Sequence, residues 1–359
     1  MIESARSAHY DVLADPQPSV TLRAPGRLHL GFLDPAGTLG RRFGSLGLVI
    51  DGFPTEIDLS ASDVDRITAS GAAEGAAAER AAGYLATMRR RSGRSEPLHL
   101  TLARVPPAHA GFGTGTQLAL AVGRAFAQWH RLDLGTPLLA QWLGRGLRSG
   151  VGIGGFDHGG LLLDGGPGAD GTPAPVLSRI AMPDAWRVVV VQDDALRGLS
   201  GDDERQAIAA LAPMPQALAA ELCHQVLMRV LPGAASAEFA PFATGVSRIQ
   251  QLLGEYFAPV QSGSAFTSAA VRRLVEWMAS AARESGADNA PAAHAAAAAG
   301  QSSWGPTGFV ILPSQAQAER VLEAARAAKV VGPSLTVNIV SARNAGAALV
   351  DRRPHAAVR

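Results

Sequence analysis

The stretch Gly111-Phe112-Gly113-Thr114-Gly115-Thr116-Gln117 concentrates the properties that bind an anion. Its three glycines let the backbone bend sharply and approach a ligand with no Cβ in the way. Thr114 and Thr116 add hydroxyl donors. If a helix begins here, its first N–H groups have no intrahelical acceptor and carry the positive end of the helix dipole. The chemistry on offer is a phosphate cradle. The same pattern also serves as a plain turn, and alone it does not choose. Two familiar nucleotide loops are excluded more firmly. A P-loop needs Gly-Lys-Ser/Thr, and the only lysine of the chain is Lys329. A dinucleotide fold needs Gly-x-Gly-x-x-Gly in a first βαβ unit, whereas here Gly-x-Gly-x-Gly stands a third of the way along.

Other residues of chemical interest fall in three more places. Arg27 and His29 alternate with Leu28, Leu30 and Phe32, so one strand face shows a cation and an imidazole. His29 is read either as a strand histidine bonded to a neighbour or as a working group. Asp34 and Gly40-Arg41-Arg42 follow in a turn. Arg145 and Arg148, three apart, share a helix face, and the glycine-dense stretch Ser149–Gly160 comes next, with Asp157 and His158 adjacent near its end. Those two are metal or acid–base candidates, or simple turn residues. A third glycine-bounded loop contains Ser302, Ser303, Trp304 and Gly305. Arginine's planar fork suits phosphate and carboxylate, although Arg supplies nearly all positive charge in this chain and compositional drift explains most of it equally well.

The elements that must hold these groups are read from periodicity. Leu98, Leu100 and Leu102 alternate with polar neighbours as in a half-buried strand, and Leu118, Val122, Phe126 and Trp129 recur at helical spacing. The anion loop is therefore a strand-to-helix turn. Val20–Ala24 reads as a strand ended by Pro25-Gly26, residues 72–91 as a helix, and Thr136 as the N-cap of a helix, with Pro137 in its first turn, running to about Ser149. The glycines after it read as flexible turns, and residues 165–185 as a linker. Val188–Val191 opens a second part as a buried strand. Helices at about 203–212, 215–231, 235–256 and 264–285 follow, then an Ala-rich, poorly specified tract at 286–300. Strand 309–312, helix 315–328 and strand 335–340 complete the pattern, and the Arg-rich end is expected to lack order.

Composition narrows the class. With 359 residues, 47% hydrophobic and 18% charged, the chain is long for one core, and a net charge of +1 gives no electrostatic footprint for nucleic acid or a membrane surface. The single Cys223 sits in an apolar helical run and reads as a structural thiol. Residues 1–17 have acidic groups and no apolar core, unlike a signal peptide or a membrane span, so a cytoplasmic location is expected. By itself this reading supports a mixed α/β protein in two parts.

Pro107, the Gly-x-Gly-x-Gly-Thr loop, the Ser149–Gly160 loop and Ser302-Ser303-Trp304-Gly305-Pro306 stand in the order of the three motifs of the galactokinase–homoserine kinase–mevalonate kinase superfamily. The chain resembles most closely its β-ribofuranosylaminobenzene 5′-phosphate synthase family, a branch that does not phosphorylate. The matching stretches lie at 27–51, 107–120, 145–166 and 301–308 and span most of the chain from about residue 20 to 340. Thr114 stands where that branch is expected to have Ser, and Asp157 where it is expected to have Glu. The resemblance implies an α+β fold of two domains, a ribosomal-protein-like N-terminal one and a ferredoxin-like C-terminal one, with the site in the cleft between them. The boundaries implied are a leader at 1–19, domains at 20–183 and 184–345, and a tail at 346–359.

The implied reaction joins 4-aminobenzoate to 5-phosphoribosyl 1-diphosphate, with loss of carbon dioxide and diphosphate, in tetrahydromethanopterin biosynthesis. Mg²⁺ is the implied cofactor, with Asp157 as its ligand and Asp34 in reserve. Gly111, Gly113, Thr114, Gly115, Thr116 and Gln117 are implied to hold the diphosphate. Arg27, Arg145 and Arg148 would take the 5′-phosphate or the aminobenzoate carboxylate, His29 and His158 would handle protons, and Ser302, Ser303 and Trp304 would close the site. Small-molecule substrates, no nucleic acid, no membrane and a homodimer are the expected partners. An ATP-dependent small-molecule kinase of the same superfamily is the alternative, and a non-catalytic sensor of phosphate ligands a third reading.

Overall fold

The computed structural model describes residues 18–70, 74–198, 201–286 and 297–354, so the expected leader up to residue 17 and most of the Ala-rich tract lie outside the described residues. Among the described residues, seven strands form one sheet and four a second. The first sheet is built on a long antiparallel pair, Ser19–Asp34 against Phe43–Ala61. Pro25-Gly26 does not end the first strand. The register shifts between Ala24 and Gly26, so the proline sits at a bulge, where its missing N–H costs no ladder bond. A Cβ on Gly26 would lie 2.8 Å from the Phe53 carbonyl oxygen, which is why this bulge takes glycine.

Leu98–Arg104 pairs with the second long strand and, in parallel, with Arg66–Ala69. Leu161–Asp164 and then Val176–Ile180 extend the sheet, so the expected linker contributes an edge strand. Ala348–Asp351, expected to lie in a tail without order, pairs with residues 20–23 of the first strand and closes the other edge. Apolar side chains of helices Glu74–Ser92 and Thr114–Trp129 cover one face of this sheet, among them Leu85, Met88, Leu118, Val122 and Phe126.

The second sheet runs Leu335–Ser341, Arg187–Asp193, Thr307–Leu312, Ala298–Gln301, antiparallel throughout. Its valine run has a direct physical reading. Val188 and Val190 enter the same buried cluster as Leu28 and Leu48 of the first sheet, while Val189 and Val191 pack under helices Ala269–Gly286 and Gln315–Ala327. Both faces of the strand are buried, so no polar residue interrupts it. The shared cluster makes one continuous core between the sheets. Among the described residues no helix is long and apolar enough to cross a membrane.

Two local expectations need correction. The helix begun by Thr136 ends at Trp142, and its N-cap is Gly135 rather than Thr136. The glycine-dense stretch after it is a helix, Val151–Asp157, despite the poor helix propensity of glycine. Packing explains it. A Cβ would lie 2.9 Å from Thr116 Cγ2 at Gly152, 2.6 Å from Val176 Cγ2 at Gly154 and 2.9 Å from Val49 Cγ2 at Gly155. Three sides of this helix are pressed too closely for any side chain, and tertiary contact overrides propensity.

Candidate active site

The anion loop is the place where the three glycine-rich segments meet. Gly113 is the N-cap of Thr114–Trp129 with φ +73°, a left-handed conformation that favours glycine. The first intrahelical bonds are those of Thr116 N and Gln117 N to Gly113 O, at 3.0 and 3.1 Å, so the N–H groups of Gly113, Thr114 and Gly115 lie ahead of the ladder. A Cβ on Gly115 would meet only Arg145 Nη1, at 3.8 Å. The loop mouth is thus open, with a guanidinium beside it.

Arg27 ties the first strand to the loop. Its N–H donates to Phe112 O at 3.0 Å and its Nη1 to Gly111 O at 2.9 Å. The third loop closes on the same point: Ser302 Oγ donates to Gly111 O at 2.7 Å and accepts from His29 N at 3.0 Å, and Ser303 N donates to His29 O at 3.1 Å. The backbones interlock, since a Cβ on Gly111 would lie 2.8 Å from Ser302 O and one on Gly305 2.5 Å from Gly111 N.

These segments surround a cleft of about 980 Å³. Among the described residues, five arginines line it: Arg27, Arg42, Arg80, Arg145 and Arg148. Among the described residues of the lining there is no carboxylate. Arg145 is held by its neighbour Tyr84, which accepts a hydrogen bond from Nη2 and lies with its ring centroid 5.3 Å from the guanidinium carbon. Such a concentration of cations fits a multiply charged anion, to which guanidinium binds in a bidentate fork.

His29 is buried, and its Nε2 has no hydrogen-bond partner. Burial, with the positive charges of Arg27 and then Arg148, pulls its pKa from 6.5 down to about 3. The imidazole is therefore neutral at physiological pH. Asp164, fully buried, organises the segment that carries Arg145 and Arg148. Its carboxylate accepts from Ser149 Oγ at 3.1 Å, Gly150 N at 2.8 Å and Gly166 N at 2.9 Å, and also from Ser45 Oγ. Burial raises its pKa against these bonds.

The structure brings Arg27, His29, Gly111, Gly113, Thr114, Gly115, Thr116, Arg145, Arg148, Ser303 and Trp304 to the cleft. It does not bring the others. Gln117 is a tie between helices, its Nε2 donating to Gly152 O at 2.8 Å. Ser302 is fully buried and latches the loops. Asp34 accepts from Gly37 N and Leu39 N, both at 2.8 Å, and so pins its own turn. Asp157 and His158 are exposed at the C-terminal end of their helix, outside the cleft lining, because the stretch that was expected to loop is helical. Thr136 Oγ1 donates to Asp157 Oδ1 at 2.5 Å, a structural use of the carboxylate. Asp157→Asn is accordingly expected to change kcat and KM by less than about twofold while costing about 1 kcal/mol of stability. Steady-state kinetics beside urea denaturation check it.

Among the described residues, the cleft lining does not fit a magnesium ion held by the protein. Mg²⁺ takes one or two carboxylates along with substrate oxygens, and the described lining offers none. Among the described residues, no three His, Cys, Asp or Glu cluster as a metal site. The motif reading missed Arg42 and Arg80. Arg80 lies on a helix that reads as a solvated surface element, and only its packing beside the anion loop shows its use. Arg42 stands eight residues beyond Asp34 in a turn, with nothing in its spacing to separate it from Arg41.

Residues 70–161 match the GHMP kinases N terminal domain. A β-ribofuranosylphenol 5′-phosphate synthase of Archaeoglobus fulgidus is 35% identical over 243 residues, covering 64% of this chain and 75% of the relative. One of Methanothermobacter thermautotrophicus is 27% identical over 345 residues, covering 92% and 98%. Among solved structures, mevalonate diphosphate decarboxylase of Staphylococcus aureus aligns with a TM-score of 0.63 at 13% identity, over 93% of this chain and 98% of that one. Streptococcus pneumoniae phosphomevalonate kinase gives 0.63 at 13%, over 91% and 100%. These last two share the fold. With the identity and coverage of its synthase relatives, and with the three superfamily loops joined around one basic cleft, this chain belongs to the β-ribofuranosylphenol 5′-phosphate synthase family.

Proposed function

We propose that the protein condenses a para-substituted benzoate with 5-phosphoribosyl 1-diphosphate, releasing carbon dioxide and diphosphate. The acceptor is 4-aminobenzoate, giving β-ribofuranosylaminobenzene 5′-phosphate for a tetrahydromethanopterin-type cofactor. The relatives are β-ribofuranosylphenol 5′-phosphate synthases, which makes the phenol counterpart, 4-hydroxybenzoate, the second acceptor to test. The observation that carries the reading is the cleft in which, among the described residues, five arginines and a glycine-cradled helix start meet aromatic side chains, in a chain of this family.

The steps balance without a base on the ring. The para amine or hydroxyl pushes electrons to the carbon that bears the carboxylate. That carbon bonds to the ribose anomeric carbon as the C–O bond to diphosphate breaks, the electron pair leaving with diphosphate. The bond to the carboxylate then breaks, its pair restores the aromatic ring, and carbon dioxide departs. No proton is removed from carbon, which suits a neutral His29. The work left to the chain is to hold two anions and to stabilise charge on the leaving group. Preorganised donors aimed at that charge are the effective device, and the loop N–H groups with Arg27, Arg145 and Arg148 supply them.

The test is release of labelled carbon dioxide from carboxyl-labelled 4-aminobenzoate and 4-hydroxybenzoate, in buffer containing Mg²⁺. Release that requires the sugar diphosphate is the expected result. Folded protein that releases none, while consuming ATP with an alcohol substrate, would overturn the reading in favour of a kinase.

A further inference from the structure

A row of rings crosses the cleft from the arginine cluster to its rim. His29, beside Arg27 and Arg148, has its ring 4.6 Å from that of Phe32, tilted 60°. Phe32 lies 5.4 Å from Phe43, tilted 55°, and the Arg42 guanidinium carbon is 5.3 Å from the Phe43 centroid. All four side chains line the cleft. Phe43 has φ +69°, a conformation in which a bulky residue is strained. Strain of this kind persists only where the surroundings impose it.

Here they do. Asp34 holds the turn through Gly37 N, Thr38 Oγ1 and Leu39 N, and Arg41 Nε donates to Pro167 O at 3.0 Å. Gln216 Nε2, from outside the turn, donates to Thr38 O at 3.0 Å. Gly166 packs so close that a Cβ there would fall 2.1 Å from Arg42 O. These contacts fix the turn that leads into Phe43 and hold Arg42 beside the cleft, while the Phe43 ring itself is 9% exposed.

We propose that Phe32 and Phe43 form the seat of the aromatic acceptor and that Arg42 binds its carboxylate, making these residues the determinants of specificity for an arene carboxylate. The proposal rests on the reading above for the class of acceptor. Ring faces at these spacings accept a further ring in an offset or edge contact, and an exposed guanidinium at the rim offers a planar fork to a planar carboxylate. The phosphates keep the opposite, arginine-rich part of the cleft. Asp34 acts on this seat as a positioning residue, through the turn.

Calorimetric titration of 4-hydroxybenzoate and 4-aminobenzoate, in saturating inorganic diphosphate, tests it. In Arg42→Gln the affinity for both acids is expected to fall about tenfold, with Arg42→Lys recovering part of it, while affinity for inorganic diphosphate alone stays within twofold. Phe32→Leu is expected to weaken the acids also. Arg42 is exposed, so its variants fold. Unchanged affinity for the acids, or diphosphate weakened as much as they are, would overturn the proposal, as would a wild-type protein that binds neither acid. If the wild type releases no carbon dioxide yet loses arene binding in Arg42→Gln, the subsite stands and the synthase reading falls.

Discussion

Gly111→Val is expected to lower kcat/KM about a thousandfold and to lower the melting temperature by several degrees. Gly111 has φ +98°, so any side chain is strained there before it touches anything. Its Cβ would then lie 2.8 Å from Ser302 O and 3.3 Å from Ser302 Oγ, in backbone that cannot swing aside. The carbonyl of the same residue accepts from both Arg27 Nη1 and Ser302 Oγ. One substitution therefore disturbs the phosphate cradle, the cation beneath it and the latch of the third loop. Displacing catalytic groups by about 1 Å costs on the order of a hundredfold in rate, and loss of a preorganised donor on the leaving group costs on the order of 10²–10³. Gly115→Ala is the matched comparison, because its Cβ enters only the open mouth of the loop. It should weaken diphosphate binding with the melting temperature unchanged. Near wild-type turnover in Gly111→Val would show that the leaving group is not held by this loop.

The second large effect is a dependence on pH traced to His29. In the folded protein its pKa is about 3, and in the unfolded chain about 6.5. Above pH 6.5 neither state is protonated there, and the residue adds no pH dependence. Between 6.5 and 3 the unfolded chain binds a proton that the folded one refuses. Stability therefore falls with falling pH, by up to about 1.4 kcal/mol per unit from this group. His29→Gln removes that slope, so urea denaturation from pH 7 to pH 4 should show the variant gaining on the wild type as pH drops. Parallel profiles would rule out the buried neutral imidazole. The same electrostatics make a second outcome testable. An anion that neutralises Arg27 and Arg148 removes two of the causes that depress the His29 pKa, so inorganic diphosphate should raise it, as followed by the imidazole proton resonances.

The sequence alone determined the strand-to-helix turn at 111–117, because alternating Leu98–Leu102 and the helical stripe of Leu118 to Trp129 are local patterns and glycine at a helix start has a local physical meaning. It likewise determined the buried valine strand and, through the order of three glycine loops, the family. Tertiary structure decided the rest. Helicity of Val151–Asp157 follows from three glycine faces pressed against Thr116, Val49 and Val176, which no local propensity contains, and with it Asp157 and His158 leave the cleft. The strand at Ala348–Asp351 depends on an open edge at Ser19–Asp34, more than three hundred residues earlier. Arg42 and Arg80 become part of the site only when a hairpin turn and a helix flank are folded beside the anion loop. Residue type and short-range spacing report what a segment can do. Which of its groups meet, which are spent on holding the fold, and whether an imidazole keeps its proton depend on burial and on charges brought from distant parts of the chain.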